Sequence, residues 1–410
     1  MADSTRQSQH TDLRRLAFLA AALSLAAAAD GLASVQFIEH AVSKDAPSAR
    51  SVFAADVDSD GDIDLLSASE GDDTIAWYES DGSSPPVFTE RIISTNADAA
   101  SCVFAADLDG DGDVDVLSTS VVDDKVAWYE SDGRTPPSFT ERVITSTADG
   151  AVSVFAIDVN GDGATDIVTA AGSDNEVAWH ENDGGSPPVF IERIISTEAE
   201  LVSSIFATDV DGDSDIDVLS ASWLDDKIAW YENLGGDPPG FVERVISTSA
   251  DAATAVFATD LDSDGDTDVL SASFLDNRIA WYENQGNPQP TFLERTISTT
   301  AELAESVFAA DVDGDGHVDV LSASLLDDTI AWYENDGSSP PGFIERIIRD
   351  DVDLPEWVVA ADMDGDGDTD VVSAARVDTE VAWYENVGPD VIFSDGFESG
   401  DTSAWSSTVP

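Results

Sequence analysis

The chain has 410 residues, 84 of them acidic and 17 basic, giving a formal net charge of -67. Such a charge excludes nucleic acid or an anionic membrane as the main partner. It does not mean disorder, because 42% of the residues are hydrophobic, ten are Trp, and the apolar positions recur in a fixed order.

Residues 1–34 read as a secretory signal: Arg14 and Arg15, an apolar run from Leu16 to Ala29, then small residues suited to cleavage near Ala29 or Ser34. The run is too short to span a membrane comfortably. The expectation is therefore a secreted or cell-surface protein, with the periplasm as the alternative and no membrane span. The single Cys102 cannot form an internal disulfide, so an exported chain of this kind needs another staple.

From residue 35 to 388 the chain repeats itself seven times with a spacing of 51 residues. Each copy carries a nine-residue loop whose odd positions are almost all Asp. The first two loops read Asp56, Asp58, Asp60, Asp62, Asp64 and Asp107, Asp109, Asp111, Asp113, Asp115 at positions 1, 3, 5, 7 and 9. The third and fourth read Asp158, Asn160, Asp162, Ala164, Asp166 and Asp209, Asp211, Asp213, Asp215, Asp217. The last three read Asp260, Asp262, Asp264, Asp266, Asp268, then Asp311, Asp313, Asp315, His317, Asp319, then Asp362, Asp364, Asp366, Asp368, Asp370. Carboxylates at positions 1, 3, 5 and 9 repel one another by about 4 kcal/mol per pair at ~4 Å in a surface-like dielectric. A cation belongs among them. Oxygen donors without His or Cys at these four positions, and a Gly at position 6 for the sharp turn, select Ca²⁺ over Mg²⁺ or Zn²⁺.

Around each loop lie short runs rich in Val, Ile, Phe, Trp or Tyr, bounded by Asp, Asn, Gly, Ser or Pro. In the sixth copy these are Ser306 to Val312, Val318 to Ser324, Thr329 to Asn335 and Phe343 to Ile348, and no helical periodicity appears after the leader. Four short strands per copy cannot bury both faces alone. Radial stacking predicts an all-β, seven-bladed propeller with four antiparallel strands per blade. The outer-strand signature Phe-x-Glu-Arg-x-Ile is missing after the last loop, but a relative, Phe37 to Val42, precedes the first. That segment is expected to close the last blade, in competition with Val391 to Phe393, and so to remove an open edge. Trp77, Trp128, Trp179, Trp230, Trp281, Trp332 and Trp383 are read as wedge-filling core. Ala54 and its six equivalents are read as small residues of crowded inner strands.

The loop pattern, followed by Val-Asp-Val-Leu-Ser or a close variant, resembles the calcium loop of FG-GAP or VCBS repeats, the blades of integrin α-type seven-bladed propellers and of many secreted bacterial ones. The resemblance spans nearly the whole of residues 35–388. It implies side-chain ligands at positions 1, 3, 5 and 9 and a main-chain carbonyl at position 7, hence up to seven structural Ca²⁺. Two loops depart from the pattern: Asn160 replaces the position-3 Asp, and Ser214 replaces the position-6 Gly. Those two sites are expected to be the weakest.

His40 stands where other copies have Arg, His180 where they have Tyr, His317 at position 7, and Cys102 where most have Ser. All read as substitutions at structural positions, so neither a nucleophilic triad nor a zinc site is visible. The copies disagree most one step after the second strand: Glu70, Val121, Gly172, Trp223, Phe274, Leu325 and Arg376. That turn lies on the face opposite the Asp loops. Trp223, Phe274 and Leu325, on consecutive blades, are candidates for an apolar ligand patch, and Trp357 for a plug at the channel mouth on that face. Residues 389–410 leave the repeat and read as a tail. The functional expectation is a monomeric binding or adhesion module, lectin-like in its most concrete form because FG-GAP-type propellers include sugar-binding proteins. A polysaccharide lyase and a structural matrix component are the alternatives, and the partner is a glycan or a protein surface.

Overall fold

The protein is described by a computed structural model covering residues 35–286 and 289–388. The leader, the tail and Val391 to Phe393 lie outside the described residues. Residues Val35–Gly388 form one compact unit of twenty-eight strands in seven four-stranded antiparallel sheets. In the first blade the strands run Ala49–Ala55, Asp64–Ser69, Thr74–Ser80 and Phe88–Ser94 from the axis outward. The inner strands contact one another around a closed ring, the seventh blade meeting the first.

Side-chain character follows position in the blade. The second strand is buried at every residue in all seven blades. After its opening Asp it accordingly reads as apolar and small residues, with Ser or Thr as its polar members, as for a strand covered on both faces. The fourth strand is the outer edge, and its Glu and Arg side chains reach solvent.

The last blade is completed by Phe37–Ser43, which pairs antiparallel with Val381–Asn386 in the register Phe37↔Asn386, Ile38↔Glu385, His40↔Trp383. The closure expected from the sequence is the one adopted. Its chemistry repeats that of the other blades with one exchange. In the first blade Trp77 packs edge-on against Phe139 of the next blade at 6.2 Å, Arg91 lies over its ring at 5.4 Å, and the Arg91 Nε donates to Glu79 at 2.7 Å. In the seventh, His40 stacks on Trp383 at 4.6 Å and meets Glu385 at 2.7 Å. The Trp series is thus the inter-blade wedge, capped by a cationic or aromatic group from the outer strand.

Two packing devices were not anticipated. Phe53, Phe104, Phe155, Phe206, Phe257 and Phe308 form a belt around the axis with successive centroids 4.5–5.0 Å apart. Val359 occupies the seventh place, and only a cavity of about 100 Å³ remains between the rings. The second device is an Asn at the end of the third strand. The Nδ2 of Asn335 donates to the carbonyl of Val318 in its own Asp loop at 2.9 Å and to that of Leu261 in the preceding blade's loop at 3.1 Å. Asn182, Asn233, Asn284 and Asn386 do the same, whereas the first two blades have Ser80 and Ser131 there. Removing the amide strands two carbonyls at a buried joint, so Asn335→Ala should cost about 2 kcal/mol, read as a lower denaturant midpoint with calcium present. An unchanged midpoint would contradict this role.

Candidate metal centres and the opposite channel mouth

The Asp loops are organised by their own carboxylates. In the second loop Asp107 accepts from the amides of Gly110 at 2.8 Å and Gly112 at 3.0 Å, Asp109 from Asp111 at 3.2 Å, and Asp111 from Asp113 at 3.0 Å. Asp115, at position 9, opens the second strand and accepts from Leu108 at 3.1 Å and from Ser131 on the third strand at 2.8 Å. These bonds curl the loop back over the start of the second strand. One carboxylate oxygen from each of Asp107, Asp109 and Asp115 then lies within 4.8 Å of the others, and the same holds for Asp56, Asp58 and Asp64, for Asp209, Asp211 and Asp217, and for Asp260, Asp262 and Asp268. In the sixth loop the grouped trio is Asp311, Asp313 and Asp315.

In the first loop protein groups alone do not satisfy the position-3 carboxylate. Both oxygens of Asp58 are buried with no hydrogen-bond partner among the described residues, which is costly for a charged group. Burial pushes the position-9 carboxyls up to about 7 in Asp64, Asp115, Asp217, Asp268, Asp319 and Asp370 and to about 6 in Asp166, although two main-chain amides pull each one down. A cluster of oxygen-only donors around an unpartnered buried carboxylate fits a hard divalent cation. The side chain of the position-7 Asp62 lies against Gly82, where a Cβ would come within 2.0 Å of its carboxylate and where φ is +63°. A glycine is therefore needed at that turn.

The two departures have distinct effects. Asn160 donates its Nδ2 to Asp162 at 3.1 Å, so the amide occupies a carboxylate oxygen that a cation would use. Position 6 has φ between +90° and +100° in the six glycine loops, and Ser214 is held at +78°. A non-glycine residue in that region costs on the order of 1–2 kcal/mol. Ser214→Gly should therefore raise the stability of the protein by about 1 kcal/mol and tighten the fourth site relative to its neighbours. A calorimetric titration in which the variant matches the parent would contradict this. Position 4 has the same demand, unread in the sequence: Ser59 and Ser263 take φ of +59° and +60° where five glycines lie near +73°.

His180 is buried and bonds Thr169 at 3.0 Å, replacing the Ser–Tyr hydroxyl pair of other blades, and burial lowers its pKa to about 4. Cys102 is buried on an inner strand, and burial pushes its thiol up. His317 lies against the Gly337 turn.

On the face opposite the Asp loops, Trp223 and Phe274 meet at 4.8 Å, so the predicted candidates on neighbouring blades do come together. Trp223, Phe274 and Leu325 are each only half-exposed. The strongly exposed apolar series is one residue further on, Leu224, Leu275, Leu326 and Val377, between 51% and 63% exposed. A cavity of about 280 Å³ opens beside Trp223 at the channel mouth, and Trp357 lines both it and the axial cavity below. The mouth also carries a charge network. Arg50 pairs with Glu356 at 3.2 Å and Glu70 at 3.6 Å, and Arg376 with Glu356 at 3.1 Å and Glu70 at 3.2 Å.

The family model described as FG-GAP-like repeat matches residues 56–118, 107–169, 158–220, 209–271, 260–322 and 311–373. Comparison with curated proteins finds no match. Among solved structures, a virginiamycin B lyase from Staphylococcus aureus is similar at 12% identity and a TM-score of 0.58, over 86% of this chain and 100% of that one. A catalytically inactive form of that lyase with quinupristin is similar at 13% identity and TM-score 0.59, with the same coverage. BBS1N in complex with ARL6DN is similar at 11% identity and TM-score 0.56, over 86% of this chain and 96% of that one. At such identities the likeness is one of fold alone.

Proposed function

The chain belongs to the FG-GAP-like repeat family, and from that premise we propose that it is an exported, calcium-stapled binding module whose partner is recognised at the channel mouth opposite the Asp loops. The family and the fold support a binding or structural module; calcium, export and adhesion are this reading's additions. The Asp residues at positions 1, 3, 5 and 9 of each loop would hold Ca²⁺, with Asn160 replacing the position-3 Asp in the third. The ion supplies charge neutralisation that fastens each loop to the blade. The observation that carries the reading is the contrast between the two faces. Seven near-identical loops suit a repeated structural task, whereas the opposite mouth has a cavity, two Trp and an asymmetric set of charges found once in the molecule.

A glycan partner is the most concrete form, since Trp223 offers a flat apolar face beside hydroxyls of Ser101, Ser203 and Thr254. Binding to a glycan array in calcium should then be lost in Trp223→Ala, about tenfold or more, with the melting temperature kept. Hits that ignore the substitution would move the site elsewhere. Glu305, in the same cavity, favours one further reading, a lyase using it as a proton acceptor. New unsaturated ends released from polyuronides, and abolished in Glu305→Gln, would establish that activity.

A further inference from the structure

The mouth cavity is more selective in charge than in shape. Its ring is built by one position of the inner strand, occupied in turn by Arg50, Ser101, Val152, Ser203, Thr254, Glu305 and Glu356. Arg50 and Arg376 are held by Glu70 and Glu356 in the four-membered network described above. These two guanidiniums and two carboxylates balance. Glu305 is the fifth charged group; it is half-buried, and its carboxylate makes no hydrogen bond or ion pair among the described residues. When Glu305 is ionised, the cavity carries one negative charge beyond neutrality. Its other walls are uncharged: the rings of Trp223 and Trp357, the aliphatic Val121, Val152 and Leu201, and the small hydroxyl residues Ser101, Ser203 and Thr254.

We propose that this cavity binds a monocationic ligand, an ammonium group carried on a compact apolar or aromatic body, with Glu305 as counter-ion and Trp223 and Trp357 as the aromatic walls. The inference rests on the mouth being the recognition site. A half-buried carboxylate with no ion-pair partner among the described residues is open to a cation, and an ammonium over an indole face gains further electrostatic attraction. A cavity of about 280 Å³ admits one ring-sized group. The strongly acidic chain also raises the local concentration of cations on approach.

Glu305 is faced by Glu356 on the next inner strand and by Arg50 and Arg376, and burial is the main reason its carboxyl is pushed up to about 8. Without a ligand it is mostly protonated at neutral pH. An ammonium must then displace that proton, so affinity should rise as pH increases from 6 to 8, approaching tenfold per unit at the lower end.

The test uses the calcium-saturated full chain and 2-phenylethylamine, whose ammonium stays charged over that range, against 2-phenylethanol as the neutral match, both by calorimetry. The amine is expected to bind at least tenfold more tightly than the alcohol, with the pH trend above. Glu305→Gln should erase the preference and the trend while the melting temperature holds. Equal affinity for amine and alcohol, or a preference that survives Glu305→Gln, would overturn the proposal. So would failure of the amine to bind in excess calcium, since the metal would then be the mouth's own cation. If the amine fails while Trp223-dependent hits persist on the glycan array, only the cation reading falls. If the array signal ignores Trp223, the location of the recognition site falls as well.

Discussion

Chelation of calcium should lower the melting temperature by tens of degrees. With a Kd near 0.1 mM, within the range of extracellular modules, and ~1 mM free calcium, each site adds about 1.4 kcal/mol by mass action. Seven sites together add on the order of 10 kcal/mol, comparable to the whole stability of an ordinary domain. The buried, unpartnered oxygens of Asp58 and the raised carboxyls at position 9 are the groups expected to lose most when the cation is withdrawn, and the cost should fall there. The effect should also depend on pH in a defined direction. In the stripped protein the position-9 carboxyls titrate at about 6–7, above the ~3.9 of an unfolded Asp. The folded state then holds more protons than the unfolded state between about pH 4 and 7, and its stability falls as pH rises through that window. Calcium removes those protons, so the loaded protein should instead lose stability as pH falls. Scanning calorimetry with and without chelator at pH 5 and pH 8 should show the larger chelator effect at pH 8. A change of a degree or two at both would refute the stapling role.

Deleting residues 35–43 should abolish cooperative folding. That segment supplies the outer strand of the seventh blade. With it go the Phe37 contact to Trp332 at 6.4 Å, the His40 stack on Trp383 and the Glu39 pair with Arg349 at 2.9 Å. The loss exposes the backbone edge of Val381–Asn386 and unfastens the joint where a ring of seven blades is closed by noncovalent contacts alone. A broad unfolding profile or aggregation is expected, reversed by adding a peptide of residues 35–43 in excess. A truncated protein with unchanged melting would show that the ring does not depend on this strand.

Much of the fold was legible because a 51-residue period repeats every local signal seven times. The Phe-x-Glu-Arg-x-Ile series even identified the closing strand at Phe37, through its absence after the last loop. The Phe53 series recurs in six blades and the third-strand Asn in five, but nothing local says that a Phe points at an axis or that an Asn amide spans two blades. Both depend on how neighbouring sheets are placed. The positive φ at Ser59 and Ser263 was hidden for another reason: Ser is common in turns without it. On the recognition face, Trp223 and Phe274 stood out as large residues in a variable column. Their exposed partners Leu224, Leu275 and Leu326 form an apolar column whose exposure only the strand ends reveal. Glu305 was invisible as a site residue because a lone Glu in an inner strand acquires meaning only from the balanced Arg50, Arg376, Glu70 and Glu356 set, which joins the first and seventh blades.

Calcium stoichiometry tests most directly the division of labour between a calcium-stapled loop face and a recognising mouth. Equilibrium titration of the chelator-stripped chain should give close to seven calcium ions per molecule, with the third and fourth loops filling last. Glu305→Gln and Trp223→Ala should leave the count and affinities unchanged. A stoichiometry of one or two, or a calcium affinity that follows the mouth variants, would contradict it.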